Sequence, residues 1–242
     1  MWYRISQVFP ASSGYSLFGT DGACTLDDIK QGTVGNCWFM AAAAAIAEKP
    51  GRLEKNFGTN DQFNNNAGFF DVILYVLGCP VTVRVDDFLP FTALPSSTNR
   101  DNVLLSAKVT SKGVWMPVLE KALAKVYGNY SGLVSGTADE GISYLIGYPT
   151  VVESFTNLGQ GVTITSYLQT ALANDDIIAS TTLSSISTTT PLTIEGTTLV
   201  AGHVYSVIGV DASGNIEVRN PWGTAGIEHI TPTNFVNSFQ NF

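Results

Sequence analysis

The longest apolar stretch of the chain, Cys37–Ala47, is rich in alanine and predicts a helix that stops at Lys49-Pro50-Gly51, where proline and glycine together break the pattern. At eleven residues this stretch is far too short to span a bilayer. Ahead of it runs Gln31-Gly32-Thr33-Val34-Gly35-Asn36, a loop whose two glycines let backbone N–H groups approach a ligand closely. One thiol, Cys37, therefore sits at a helix N-terminus with a glutamine amide six residues upstream. A cysteine nucleophile needs those parts: a lowered pKa and donors for a developing oxyanion.

Two more segments complete such a site. Gly202-His203 opens the apolar strand Val204–Val210, and Asn220 lies in Val218-Arg219-Asn220-Pro221-Trp222-Gly223. Taken singly, each residue has a plainer reading. His203 could be a half-buried ring satisfied by a carbonyl, Asn220 an ordinary turn residue, and Cys37 a small inert hydrophobe. Together they follow the chain order of Cys-His-Asn hydrolases. Cys37 would be the thiolate, and His203 the imidazolium that later protonates the leaving amine. Asn220 would orient the ring, and Gln31 would donate to the oxyanion with the Cys37 N–H. Trp222 would cover the Asn–His bond. His229, the other histidine, reads as a surface residue.

The remaining pattern is α+β. Phe69–Val76 and Val81–Val85 read as strands joined by a hairpin or a longer turn. Trp115, Val118, Leu119, Ala122, Leu123 and Val126 recur at helical spacing in a helix ending at Gly128, expected to pack on the Cys37 helix. Asp139-Glu140-Gly141 and Gly147-Tyr148-Pro149 read as punctuation, with a domain boundary near residue 148. Beyond it, Ser166–Ala173 reads as a short helix. Ile177–Ala179, Val204–Val210 and Ile216–Val218 read as strands, the last two joined by a turn over 211–215. The Ser/Thr-rich stretch 180–198 suits an exposed β-ribbon or a loop. A mostly helical part, 1–148, followed by a β-rich part, 149–242, implies a cleft between them.

A net charge of −8 without any Lys/Arg cluster argues against nucleic acid or an anionic membrane as partner. Three sparse cysteines make a disulfide scaffold improbable. With no charged n-region and apolar h-region at the start, they imply free thiols in a reducing, cytoplasmic compartment.

Three blocks, Gln31-Gly32-x-x-Gly35-Asn36-Cys37-Trp38, Gly202-His203-x-Tyr205-Ser206-Val207 and Arg219-Asn220-Pro221-Trp222-Gly223, resemble the signature blocks of the calpain protease core. Val85–Pro90 and Trp115–Gly128 resemble further parts of it. The resemblance implies a papain-like two-lobed cysteine endopeptidase acting on protein or peptide substrates through a thioester, with the active site between the lobes. It assigns Cys37, His203 and Asn220 as the triad and Gln31 to the oxyanion hole. It makes Gly136 and Gly202 backbone partners of an extended substrate. Calpain cores are usually switched by two calcium ions. Here Gly22 and Asp28 (or Asp27) resemble ligands, but Gly113 and Gly226 stand where acidic ligands belong, and Thr25-Leu26-Asp27 lacks the relaying arginine. Calcium needs several hard oxygen ligands. The expectation is therefore a core without the usual calcium switch and with no metal site or cofactor, in which Asp27 and Asp28 cap or hydrogen-bond the loop ahead of Gln31. No penta-EF-hand or membrane-binding segment is recognisable, so the chain reads as a bare core or as part of a larger protein. A catalytically silent module binding extended peptides is the alternative, and acyl transfer to an amine a third reading.

Overall fold

The structure, a computed structural model, describes residues 1–58, 67–185, 192–194, 197–223 and 225–242. In chain order its elements are β1 (Trp2–Arg4), α1 (Ile5–Val8), α2 (Cys37–Ala47), β2 (Phe69–Val76), β3 (Cys79–Asp86), β4 (Phe88–Pro90), α3 (Arg100–Val103), α4 (Trp115–Val126), α5 (Ala138–Ile146), α6 (Ile164–Ala173), β5 (Ile178–Thr182), β6 (Leu192–Ile194), β7 (Thr197–Leu199), β8 (Val204–Val210), β9 (Ile216–Arg219), β10 (Ile227–Ile230), α7 (Pro232–Ser238) and β11 (Phe239–Asn241). The α+β class follows directly.

Every residue of α2 after Cys37 is buried. A helix apolar on all faces is stable in water only when surrounded, and α5, β8 and β5 surround this one. The alanines allow close approach. At Gly141 of α5, an added Cβ would lie 2.8 Å from the Ala42 Cβ and 3.1 Å from the Trp38 carbonyl oxygen. Gly141 is thus a contact point inside a helix rather than punctuation. The start of α5 is marked by Thr137, whose N–H donates to Glu140 at 3.4 Å in a capping box. The expected seat of α4 on α2 also needs correction: α4 lies chiefly against the β2–β3 hairpin, and its Glu120 reaches the approach to α2. That hairpin turns at Leu77 and Gly78, both at positive φ, and Cys79 and Pro80 already belong to β3.

The larger sheet is antiparallel, in the order β10-β9-β8-β5-β11. Its apolar residues fall on two sides. Ala179 and Val204 join a cluster built from α2, α4, α5 and β2–β4. Their neighbours Ile178 and Tyr205 enter a second cluster with α6, α7, β9 and β11. Alternation along the strands sends successive side chains to opposite faces, so β5 and β8 join the two cores. In the Ser/Thr-rich stretch, β6 and β7 pair as a ribbon; residues 186–191 and 195–196 lie outside the described residues.

Candidate active site

Asn36 precedes α2 with non-helical backbone (φ −114°, ψ 37°), and its carbonyl accepts the N–H groups of Phe39 at 3.0 Å and Met40 at 3.1 Å. Its side chain makes no cap bond to the helix. The first-turn N–H groups of Cys37 and Trp38 are left to serve an anion at the sulfur. Gln31 folds over the same loop: its Nε2 donates to the Val34 carbonyl at 2.7 Å, leaving the second amide hydrogen uncommitted. Its Oε1 is buried without a partner.

His203 and Asn220 are brought together, with Nε2 3.0 Å from Oδ1. The same oxygen accepts the Trp222 backbone N–H at 3.0 Å. An amide N–H can only donate, so the atom facing it is the oxygen, and the ring nitrogen sharing that oxygen carries the hydrogen. Nδ1 is therefore the ring nitrogen left with a free lone pair. The Trp222 ring lies 4.9 Å from the His203 ring, centroid to centroid, and both His203 and Asn220 are buried beneath it. Tyr205, fully buried, packs edge-on against His203, and its hydroxyl receives the Asn220 amide at 3.5 Å and the Val200 N–H at 3.2 Å. The Thr182 hydroxyl receives the His203 backbone N–H at 2.9 Å and pins the start of β8 to β5.

The electrostatics correct one expectation. The Cys37 thiol is not held below its ordinary value: burial pushes it up, and the backbone N–H groups of Val204, Trp38 and Cys37 itself pull it partly back. Burial likewise pushes His203 down, against the Asn220 bond. Each group alone is driven toward its neutral form. The contribution of the Val204 amide also sets the sulfur beside the residue that follows His203. His229 is exposed, as expected, but its Nδ1 meets Asp211 Oδ2 at 3.1 Å.

Two loops meet below these groups. The Gln31 N–H donates to the Pro221 carbonyl at 2.9 Å, and Arg219 Nη2 donates to the Ile29 carbonyl at 2.8 Å. The loop carrying Gln31 is thereby joined to the loop carrying Asn220. Gly136 is exposed, and a Cβ there would lie 2.5 Å from Trp38 Cε2, so the indole face seats this backbone. Substituting Gly136→Ala is expected to lower stability by about 1–3 kcal/mol, read as a shift in urea midpoint, because a ring or a backbone must move. Gly202 is exposed at φ +57°, with open space where a side chain would be. Gly136 also lines a cavity of about 1190 Å³ with Asp139, Tyr148, Ile177, Ala179 and Phe242; neither Cys37 nor His203 lines it. Tyr205, Arg219 and Glu120 escaped the sequence reading as functional residues. Tyr205 and Arg219 stand inside the quoted signature blocks and Glu120 inside the Trp115–Gly128 block, which is the signal that could have found them.

Around Asp28 the carboxylate is engaged by protein donors. Asp28 is buried, with Oδ2 accepting the Trp115 indole N–H at 3.1 Å and Oδ1 the Thr110 hydroxyl at 3.2 Å. Its carboxylate therefore ties the loop ahead of Gln31 to Thr110 and Trp115 rather than capping that loop as expected, while Asp27 attracts Arg219. Gly22, Gly113 and Gly226 offer no side-chain oxygen. Among the described residues, no three His, Cys, Asp or Glu side chains gather as a metal group, and no helix is long and apolar enough to cross a membrane.

Comparison with known proteins supplies the family. The family model described as calpain family cysteine protease matches residues 1–229. The calpain-1 catalytic subunit of Sus scrofa is 32% identical over 233 residues, covering 92% of this chain and 30% of that protein. The calpain-2 catalytic subunit of Homo sapiens is 31% identical over 211 residues, covering 84% and 29%. Calpain-8 of Rattus norvegicus is 32% identical over 214 residues, covering 84% and 28%. The chain thus spans about 30% of the length of the curated relatives it matches.

Proposed function

From its membership of the calpain family of cysteine proteases, to which this chain belongs, we infer that the chain is a cysteine endopeptidase working through Cys37, His203 and Asn220 in a papain-like cleft between lobes 1–148 and 149–242. The observation that carries the reading is the 3.0 Å His203–Asn220 bond, which leaves Nδ1 for a thiol whose sulfur lies by the Val204 amide. The two apolar clusters meeting at β5 and β8 support the division into lobes.

Cys37 and His203 ionise together. Burial opposes either charge alone, but a thiolate–imidazolium pair is neutral as a unit, so the proton moves to Nδ1 as substrate arrives. The sulfur attacks the scissile carbonyl carbon, a C–S bond forms, and the oxyanion takes the Cys37 N–H and the free Gln31 amide hydrogen. Collapse breaks the C–N bond, and the imidazolium gives its proton to the leaving amine. Water, losing a proton to His203, then attacks the thioester; the C–S bond breaks and the acid leaves. Gly136 and Gly202 would meet an extended backbone, with Trp222 at the cleft edge. Asp28's engaged carboxylate supports working without the usual calcium switch. The free thiols of Cys24, Cys37 and Cys79 support a reducing, cytoplasmic setting.

The test is incubation with fluorescein-labelled casein, with and without a thiol-directed epoxide, in calcium or in chelator. Cleavage abolished by one adduct on Cys37, with calcium changing the rate by no more than about twofold, is the expected result. No casein cleavage would favour the silent peptide-binding module, and a large calcium effect would overturn the calcium-free reading.

A further inference from the structure

Glu120 is the one carboxylate of α4, and it is fully buried. Its Oε1 accepts Asn36 Nδ2 at 2.8 Å, and its Oε2 accepts the Ala107 N–H at 2.7 Å. Those two donors belong to two loops that lie against each other. The Thr33 N–H donates to the Leu105 carbonyl at 3.0 Å, and the Lys108 N–H to the Lys30 carbonyl at 2.8 Å. At Gly32 an added Cβ would sit 2.0 Å from the Ser106 carbonyl oxygen. One carboxylate on a rigid helix thus ties the loop ahead of Cys37 to the loop that braces it.

The direction of the Asn36 side chain matters most. An Asn at this position ordinarily turns its oxygen onto an N–H of the first helical turn. Asn36 does not: its Nδ2 is drawn away to Glu120, and its Oδ1 is buried without a partner. A fully buried amide with one oxygen unsatisfied is costly, and the carboxylate at 2.8 Å offsets that cost in this orientation. The consequence lies at the sulfur, because the Trp38 N–H that Asn36 would otherwise occupy is one of those acting on Cys37. The Asn36 N–H also shares the Val34 carbonyl, at 2.9 Å, with the Gln31 amide.

The geometry points to Glu120 as a positioning residue of the Cys37 site, acting through Asn36 to keep first-turn N–H donors free and the Gln31 loop in place. This rests on the peptidase reading above. Glu120 touches no substrate. The groups acting on it are Asn36, the Ala107 N–H and the Lys108 charge; the unpartnered, buried Tyr130 hydroxyl in turn feels the Glu120 charge. Burial raises the carboxyl to about 7, with those hydrogen bonds and Lys108 pulling it back. Proton uptake would set an O–H against one of the two N–H donors and loosen the tie on the acid side of neutrality.

The experiment compares Glu120→Gln, Asn36→Ala and the double variant in a Cys79→Ser background, with Cys37→Ala as blank. kcat and KM are read on labelled casein, and carboxymethylation of Cys37 by iodoacetate is followed by peptide mass spectrometry from pH 5.5 to 8.5. Glu120→Gln is expected to lower kcat at pH 8 by about 10–100-fold with KM nearly unchanged. It should also remove an ionisation near pH 7 from the wild-type profile, while the melting temperature at pH 8 does not fall. Asn36→Ala cuts the same loop tie but carries no oxygen to occupy the Trp38 N–H, so it should lower kcat less than Glu120→Gln does, and adding Glu120→Gln to it should lose nothing further. A kcat within about twofold of wild type, an unchanged pH profile, or additive losses would each overturn the assignment. If Glu120→Gln does not fold, Asn36→Ala decides: a lower kcat in a folded protein supports the role, and an unchanged kcat refutes it. Should the wild type leave casein intact, the peptidase reading fails by itself, and the carboxymethylation profile still tests Glu120.

Discussion

Replacing His203 or Cys37 by alanine is expected to lower kcat/KM on a casein-derived peptide by about 10⁴–10⁶-fold, and the double replacement by no more than either alone. In the proposed mechanism the two side chains act as a unit. Burial sets Cys37 above and His203 below their ordinary values, so neither charge persists without the other. His203→Ala should also leave Cys37 slow to carboxymethylate at pH 7, since the remaining N–H donors do not outweigh burial. The fold should survive, because Asn220 Oδ1 keeps the Trp222 N–H and its amide keeps Tyr205. His203 in the folded chain gives up its proton more readily than in the unfolded chain. Its contribution to stability is therefore present above the unfolded value, near 6.5, and is lost as pH falls through the histidine range. Glu120 works in the opposite sense: its raised carboxyl favours the folded state below 4.5, an advantage lost as pH rises through about 7. Urea midpoints against pH should accordingly rise more steeply between pH 5 and 7 in Glu120→Gln than in wild type. Full activity in either alanine variant would remove the triad from the account.

Replacing Arg219 by methionine is expected to lower stability by about 2–4 kcal/mol and kcat by about 100-fold. Arg219 is buried, and its Nη2 donates to the Ile29 carbonyl at 2.8 Å while Nη1 has no hydrogen-bond partner among the described residues. Burial pushes its pKa down, and attraction to Asp27 opposes that. Methionine keeps most of the aliphatic volume but leaves a buried carbonyl without its donor. One join would remain between the Gln31 loop and the Asn220 loop, from the Gln31 N–H to Pro221. Because Arg219 immediately precedes Asn220, and Ile29 lies two residues before Gln31, loosening this contact shifts the ring-orienting residue against the oxyanion donor. Urea midpoint and single-turnover cleavage measure the two effects separately. A variant with wild-type kcat and midpoint would show that the remaining contacts suffice.

The parts legible along the chain are those whose cause is local. The spacing of apolar residues marks α4 from Trp115 to Val126, Pro50-Gly51 ends α2, and β-branched runs mark β2 and β8. Cys37, His203 and Asn220 could be picked out because few residue types perform this chemistry and they stand in a recognisable order. Gly141 misled because a helix glycine reads as a break until Ala42 is known to lie against it. The thiol's pKa was misjudged for a related reason: the helix N-terminus is visible in sequence, whereas the burial that outweighs it is not.

By itself, then, the amino-acid order singled out Cys37, His203 and Asn220 as candidates and marked segments such as α2, α4, β2 and β8, since both follow from side-chain type and period. Only the tertiary structure decided that Glu120 turns the Asn36 amide away from α2 and that Arg219 clasps Ile29. Each of these depends on a contact between residues distant in the chain or on exclusion of water. Neither distance nor solvent access has a local signature in the sequence.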